Sequence, residues 1–540
     1  MTDLITPSKT MGYSDIYLDF ITGQYSATHF FSSKTIKEVA AKLDAVSYDR
    51  EWISAILERQ NRLFDTSDAT FENIEKLKDE KTLCAFAGQQ VVLFGGPLLI
   101  MIKALTVVKA AHLYSEQLQR PVVPIFWMAA DDHDFAEINH TWVLNRQGDL
   151  EKISYDTPPK AELPASEITF ADVSELERAQ EALKTVLGVT EFTPELYRLL
   201  QNCYTPKDTF VTAFGKLMAF LTRDLGLILF SPGDAEVKQH AAPFFQTVLD
   251  MQDELHTVIT TTNHHVQEHG YHIQVEKKDN ASHLFFNLDG RKPIMRDGDS
   301  FLLNGKRFSK QELATCISKS PDRASPDVLL RPVFQSYLFP VVAQKGGPAE
   351  IAYFAQINPI FRLFGLVSPY YMARPSVTFV EKRYAELMAK HDITFEELTA
   401  DIEQVINRVL AKSFPQNLQK SFDQLKHDVN HRFGKFVEES LQFDPSLKQF
   451  ATQTYGKIDF TLKQFEGKIF ASHKKKSKET RDRIYRLWRA LYPNRALQER
   501  SLNISYFLSR YGFDFIKSVY DKIDCEENAH QIVHLTELTL

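Results

Sequence analysis

Cysteine is scarce in this sequence: Cys84, Cys203, Cys316 and Cys525 are its four, and they lie far apart. Their spacing fits neither a zinc site nor a disulfide framework, so they are expected to be reduced thiols. The opening residues lack a basic segment followed by an apolar one, so no secretory signal is expected. The most apolar stretch, 98–111, is short for a bilayer span and carries Lys103 and Lys109. A cytoplasmic setting without membrane contact follows as the expectation. Positive charge is not in excess either; the net charge of −7 gives no general attraction to nucleic acid. Walker A, GxGxxG and HExxH patterns are missing, as are internal repeats and low-complexity tracts.

What is present is an ordinary globular composition, 44% hydrophobic and 25% charged, with 40 phenylalanines that point to a large aromatic core. The 540 residues allow several structural units at roughly 150 residues each.

The chain is organised around residues 82–140. A short apolar run at 82–87 precedes a loop bounded by Gly88, Gln89, Gln90 and by Gly95, Gly96, Pro97; the apolar stretch 98–114 that follows has the length of a helix. Residues 122–128 form a second buried-strand run, ending in Asp131, Asp132, His133 and Asp134. Strand, helix, strand implies a parallel sheet with a right-handed crossover. Both polar loops then lie at the carboxyl ends of neighbouring strands, where open α/β sheets bind ligands.

The predicted architecture is α/β, a Rossmann-like parallel core interrupted by two connecting-peptide insertions and followed by a long helical coiled-coil domain. Residues 1–149 supply the first part of the core, with helices at 33–44 and 48–64 and an aromatic segment at 17–31 expected to dock on it. Residues 150–222 read as a helical insertion, with helices at 175–187, 193–203 and 208–224. The core returns at 223–267, as a strand at 226–230 and one long helix over about 235–267. Turn signals at Asp289 and Gly290, Asp297 and Gly298, and Asn304 and Gly305 make 268–322 a β-rich insertion. The third core part, 323–376, runs through 328–342 and a strand at 366–372 ending in Arg374, Pro375 and Ser376. Residues 377–500 read as an antiparallel helical hairpin projecting from the core, and 501–540 as a return to the core through 532–535.

Three clusters carry candidate chemistry. The loop with Gly88, Gln89, Gln90, Gly95 and Gly96 places backbone amides and a helix start where a phosphate or carboxylate could sit, although a tight turn would use the same small residues. The acidic turn, with Glu137, Asn139 and His140 close behind, suits metal ligation, substrate amine or hydroxyl binding, or helix capping. One capping residue would not account for four ionisable groups in a row. The third cluster is Lys345, Gly346, Gly347, Pro348, Ala349 and Glu350, with Tyr353 and Gln356 beyond: a second glycine turn, followed by an acid that could hold an amine. The histidines 264, 265, 269 and 272 lack a ligand spacing, and the basic run Lys474, Lys475, Lys476, Lys478 reads as a solvated helix face.

The stretches AGQQVVLFGGPLLIMIK, PVVPIFWMAADDHDFAEINH, LLRPVFQSYLFPVVAQKGGPAEIAYFAQ and LQERSLNISYFLSRYG together resemble the BshC family of bacillithiol synthesis, over essentially the whole chain. Two positions depart from the family pattern: Asp131 follows Ala130 where Gly-Glu is usual, and Ser336 stands where an acid is usual. The resemblance implies a homodimer through the helical domain. It also implies a ligase adding L-cysteine to the amine of glucosaminyl-malate, with ATP and Mg2+ activating the cysteine carboxylate and no zinc. The fold is similar to class I aminoacyl-tRNA synthetases, which puts phosphates at Gly88, Gln89, Gln90, Gly95, Gly96 and Arg374. No KMSKS sequence accompanies Arg374. Catalysis then falls to Asp132, His133 and Asp134, and substrate binding to Asp131, Glu137, Asn139, Glu350 and Gln356. The residues alone leave two other readings open: a metal-dependent sugar amide hydrolase using Asp132, His133 and Asp134, and a non-enzymatic dimeric scaffold.

Overall fold

A computed structural model describes residues 2–535, which divide into two compact units: one runs to Glu381 and resumes at Pro493, the other is Lys382–Tyr492. The first is built on five parallel strands: β1 (Leu83–Gln89), β2 (Val122–Met128), β3 (Ile228–Phe230), β4 (Val341–Gly346) and β5 (Tyr370–Ala373). Their order across the sheet is β5-β4-β1-β2-β3. β1 and β2 are in register from Leu83 opposite Val122 to Gln89 opposite Met128. Nearly every residue of β1, β2 and β4 is buried, as a parallel sheet covered on both faces requires. Helix α1 (Leu99–Leu118) follows β1 and helix α2 (Pro348–Leu363) follows β4. The chain moves outward from β1 to β3 on one side and then restarts on the other with β4. This makes the gap between β1 and β4 the topological switch point, where such sheets bind ligands.

The aromatic amino-terminal segment packs as expected: Ile16, Ala27 and Phe30 form a buried cluster with Tyr271 and with Ala352 and Ala355 of α2. The β-rich insertion supplies four strands of a five-stranded antiparallel sheet, with hairpins turning at the three glycine signals; the fifth strand, Ala324–Pro326, lies just beyond residue 322. Residues 173–187, 193–203 and 210–221 are helical, preceded by a hairpin of His140–Leu144 with Leu150–Ser154.

Two expectations change, and a run without a predicted element gains one. The single helix over 235–267 is three, Ala235–His240, Ala242–Asp250 and Gln252–Glu268. Pro243, which has no N–H to donate, occupies the first turn of the second. The run 328–342 contains a helix, Arg331–Leu338, before β4 begins, again with a proline in its first turn. The edge strand starts at Tyr370, just after Pro369, and not at 366.

The strands Thr2–Ile5, His530–His534 and Ser376–Val380 form a separate sheet with His530–His534 in the middle. Both flanks of the helical region, 377–381 and 493–500, therefore belong to the first unit. The return to the core lies within 501–535; residues 536–540 fall outside the described residues. The second unit contains two long helices, α3 (Gln416–Phe443) and α4 (Lys448–Lys476), joined at a turn containing Pro445. No helix among the described residues is long and apolar enough to cross a membrane.

Candidate active site

A cavity of about 650 Å³ opens at the switch point. Its floor is the end of β1, and its walls come from the loops after β2 and β4 and from the β-rich insertion. Gly88, Gln89, Gln90, Asp131, Asp132, His133, Glu350 and Arg374 all line it. Gly88 is required by packing, since a Cβ there would stand 2.9 Å from the Trp127 carbonyl oxygen on β2.

One wall is acidic. Asp132 accepts a hydrogen bond from Gln90 Nε2 at 2.5 Å, while Asp131 is neutralised by buried Lys238 at 2.6 Å. His133 receives a hydrogen bond at Nδ1 from Arg291, 3.3 Å away. A guanidinium only donates, so Nδ1 is unprotonated and the ring of neutral His133 carries its hydrogen on Nε2. Burial, and then the Arg291 charge, push the His133 pKa below its ordinary value and maintain that form. Arg291 is held over the Phe285 ring at 3.8 Å and donates to Ser325 Oγ and the Pro326 carbonyl.

The opposite wall is rich in cations. Lys103 reaches from the second turn of α1 to the Gly88 carbonyl at 2.8 Å, Gln89 Oε1 at 2.7 Å and the Glu350 carboxylate. It thereby ties the β1 loop to the β4 loop across the switch point. Burial pulls the Lys103 pKa down, opposed by Glu350. Arg331 donates to Tyr353 Oη and makes no ion pair among the described residues. Arg374 is 3% exposed and pairs at 2.6 Å with Glu499, which is fully buried. Burial works against the Arg374 charge, but Glu499 outweighs it and leaves the guanidinium more basic than usual.

Six predicted residues do not meet here. The Gly95 amide donates to Val92 O and Tyr204 Oη, and the Gly96 amide to Leu93 O, so neither is open to a phosphate. Asp134 caps the short helix Phe135–Ile138 by accepting from the Glu137 amide. Glu137 accepts from Gln90 Nε2 at an exposed position, and Asn139 donates to the Tyr155 carbonyl. Gln356 is buried and clips Val275, accepting from its amide and donating to its carbonyl. Each of these side chains satisfies neighbouring backbone or a neighbouring side chain, which spacing along the sequence does not reveal.

Sequence reasoning gave no site role to Lys103, Arg291 and Arg331, and Tyr353, noted beside the third cluster, does line the cavity. A signal existed for Lys103: a lysine inside the most apolar helix must find a buried partner. Among the described residues, no group of three or more His, Cys, Asp or Glu is arranged to hold a metal ion.

Comparison with known proteins matches residues 2–375 to the family described as "Bacillithiol biosynthesis BshC, N-terminal Rossmann-like domain". Residues 377–535 match "Bacillithiol biosynthesis BshC, C-terminal coiled-coil domain". A protein of Koribacter versatilis (strain Ellin345) named "Putative cysteine ligase BshC" is 29% identical over 540 residues, covering 99% of both chains. Proteins of the same name from Bacillus cereus (strain AH187) and Symbiobacterium thermophilum are 28% and 30% identical. They cover 96% and 90% of this chain and 98% and 90% of their own.

Proposed function

The chain belongs to the BshC family of bacillithiol biosynthesis, and from that premise we propose that its cleft joins the carboxyl group of L-cysteine to the amine of glucosaminyl-malate. The reaction makes a carbon–nitrogen amide bond, and Mg-ATP is the activating co-substrate. The observation that carries this reading is the polarity of one cavity, with Asp132 and His133 on one wall and Lys103, Arg331 and Arg374 on the other.

A carboxylate is a poor electrophile; transfer of a phosphoryl or adenylyl group from ATP to one of its oxygens, with release of ADP or pyrophosphate, turns that oxygen into part of a leaving group. The donor set fits a polyphosphate, because the Arg331 guanidinium in the cavity has no carboxylate paired with it among the described residues. Asp132 accepts hydrogen bonds from the amine or from sugar hydroxyls. His133 directs Nε2–H at the oxygen on which charge develops as nitrogen attacks the acyl carbon. The C–N bond then forms, the C–O bond breaks with departure of phosphate or AMP, and the proton lost by nitrogen passes to solvent. Glu350 orients the groups around it through its bonds to Lys103 and the Gly347 amide.

The hydrolase reading, which needs Asp132, His133 and Asp134 together, loses ground because Asp134 is committed to a helix cap. A homodimer formed through the helical unit is part of the proposal. Phe436, Phe443, Phe450, Phe460 and Phe465 on α3 and α4 are each more than half exposed. In the same unit Lys474 pairs with Glu403, which accounts for one member of the basic run.

Mass spectrometry of protein given cysteine and glucosaminyl-malate, with and without Mg-ATP, tests the chemistry. The expected result is a cysteinyl amide formed only with ATP and reduced at least about 100-fold in His133→Ala. No product with any nucleotide would sink the ligase reading. The depressed His133 pKa keeps the ring neutral and its Nδ1 open to Arg291 below pH 6.5; a second proton would end that contact and displace the ring, so the acid limb of kcat/KM should have its midpoint under that value. A limb centred above it would remove His133 from the mechanism.

A further inference from the structure

We infer that the first turn of α2, together with Arg374, forms an oxyanion subsite that takes a carboxylate or phosphoryl group of the reactants. The inference rests on the ligase reading for the identity of those reactants, but it concerns binding alone. Two independent observations meet at this point.

The first is the end of a 16-residue helix turned into the cavity, with Gly347, Pro348, Ala349 and Glu350 all in its lining. Pro348 has no N–H. The Gly347 amide donates to the Glu350 carboxylate at 2.9 Å. The amides of Ala349 and Glu350 have no carbonyl within the helix to bond, and they stand at the positive end of its dipole.

The second is an unpartnered donor. Arg374 donates from Nη1 to the Pro375 carbonyl and from Nη2 to Glu499, both at 2.6 Å. Its Nε has no hydrogen-bond partner among the described residues, although the residue is 97% removed from solvent. That Nε lies 3.8 Å from the point a Cβ on Gly347 would occupy. A buried N–H without an acceptor is costly, and an oxyanion in front of Gly347 would supply one. Charge favours the same occupant: Lys103, Arg331 and Arg374 are near neighbours, and Glu350 and Glu499 balance only two of the three.

Gly347→Ala tests the assignment with little risk to the fold. The glycine has φ −75°, which alanine adopts, and the added methyl would be 3.6 Å from Glu350 Oε2 and 3.8 Å from Arg374 Nε. Those are ordinary contacts, yet the methyl fills the space the oxyanion needs.

Calorimetric titrations of inorganic phosphate, ADP and L-malate into wild type and variant should show at least a tenfold loss of affinity for one or more of them. Loss for phosphate and ADP assigns the seat to a phosphoryl group, and loss for malate assigns it to a carboxylate. Equal affinities in the two proteins, or no binding of any of the three to wild type, would overturn the proposal. Ala349→Asp provides a second route, since it puts a carboxylate on an exposed first-turn position that the dipole favours. It should cause the same loss with an unchanged melting midpoint, and unchanged affinity would again overturn the subsite. Failure of the ligase reading is a separate result: no cysteinyl amide from wild type, while the binding contrast stands.

Discussion

Gly95, Gly96 and Pro97 lead into α1 as Gly346, Gly347 and Pro348 lead into α2, the first tripeptide in the loop after β1 and the second running from the last residue of β4 to the first of α2. At the first, φ is +83° for Gly95 and +64° for Gly96. The chain there folds back on itself, and its amides donate to Val92, Leu93 and Tyr204. Asn503 donates to the carbonyls of Phe94 and Gly96 at 2.9 and 2.7 Å. At the second, Gly347 has ordinary extended geometry and the turn faces the cavity. Neutral groups support the first turn, whereas two ion pairs, Lys103 with Glu350 and Arg374 with Glu499, support the second. One turn is a packing joint and the other a binding surface. The glycines mark a joint where φ is positive and the amides are occupied; they leave a surface where φ is ordinary and the next amides are free.

The contrast can be broken most severely at Gly96. A Cβ there would be 2.7 Å from Val92 Cβ and 2.8 Å from Ile100 Cδ1, on a residue at positive φ. Overpacking and backbone strain together should cost Gly96→Ala about 4 kcal/mol. Urea unfolding would measure this, and a loss under about 1 kcal/mol would contradict the packing role.

Acid should discriminate between the two supports. His530 is fully buried beside the Arg374–Glu499 pair and bonds Ser376 Oγ at 2.8 Å and Thr378 Oγ1 at 3.0 Å. Burial pushes its pKa down to about 4, with the Arg374 charge adding to the shift and Glu499 opposing it. Because the folded value lies below the unfolded one, this contribution is complete above pH 6.5 and is lost as pH falls towards 4. It amounts to about 3 kcal/mol. Unfolding titrations across that window should show the loss in wild type and a flatter profile in His530→Gln. Parallel profiles would mean that His530 is not the group responsible.

A smaller effect is expected at Asn503→Ala, which leaves two buried carbonyls of the first turn without their donor. The expected cost is about 2 kcal/mol, independent of pH between 4 and 8 because no group involved titrates there. A pH-dependent cost would erase the distinction between neutral and ionised supports.

Much of the architecture was legible before the structure. The alternation of buried-strand runs with helical stretches marks β1, α1 and β2, and the Asp-Gly and Asn-Gly pairs mark the hairpins of the insertion, because both signals are local. The site was legible in part. The acidic turn stands out because four ionisable groups follow a buried strand, and Asp132 and His133 do line the cavity. Asp134 and Asn139 follow them in sequence but point back to satisfy backbone groups, and nothing in their spacing distinguishes them. Lys103 and Arg331 were obscured for another reason. Each lies within a helical or apolar run whose period reports burial, and a charged side chain reaching out of such a run gives no periodic signal. The two Gly-Gly-Pro turns pose the hardest case, since φ at a glycine is set by its tertiary surroundings.

The two glycine turns should respond to alanine with opposite signs. Replacing a glycine by alanine removes freedom from the unfolded chain, which stabilises a protein by about 0.4–1 kcal/mol wherever the native backbone suits alanine. Gly347 meets the condition, with φ −75° and no atom closer than 3.6 Å to the new methyl. Gly347→Ala should therefore raise the unfolding free energy by about that amount while weakening anion binding. Gly96→Ala should lower stability, with affinity intact in the molecules that remain folded. The same substitution in the same tripeptide would then separate a stability function from a binding function. Measuring both unfolding and phosphate titration on each variant gives a two-by-two comparison in which only the diagonal should change strongly. A large stability loss at Gly347 would show that its amide and carbonyl geometry is as constrained as that of Gly96, and the distinction between joint and surface would fail.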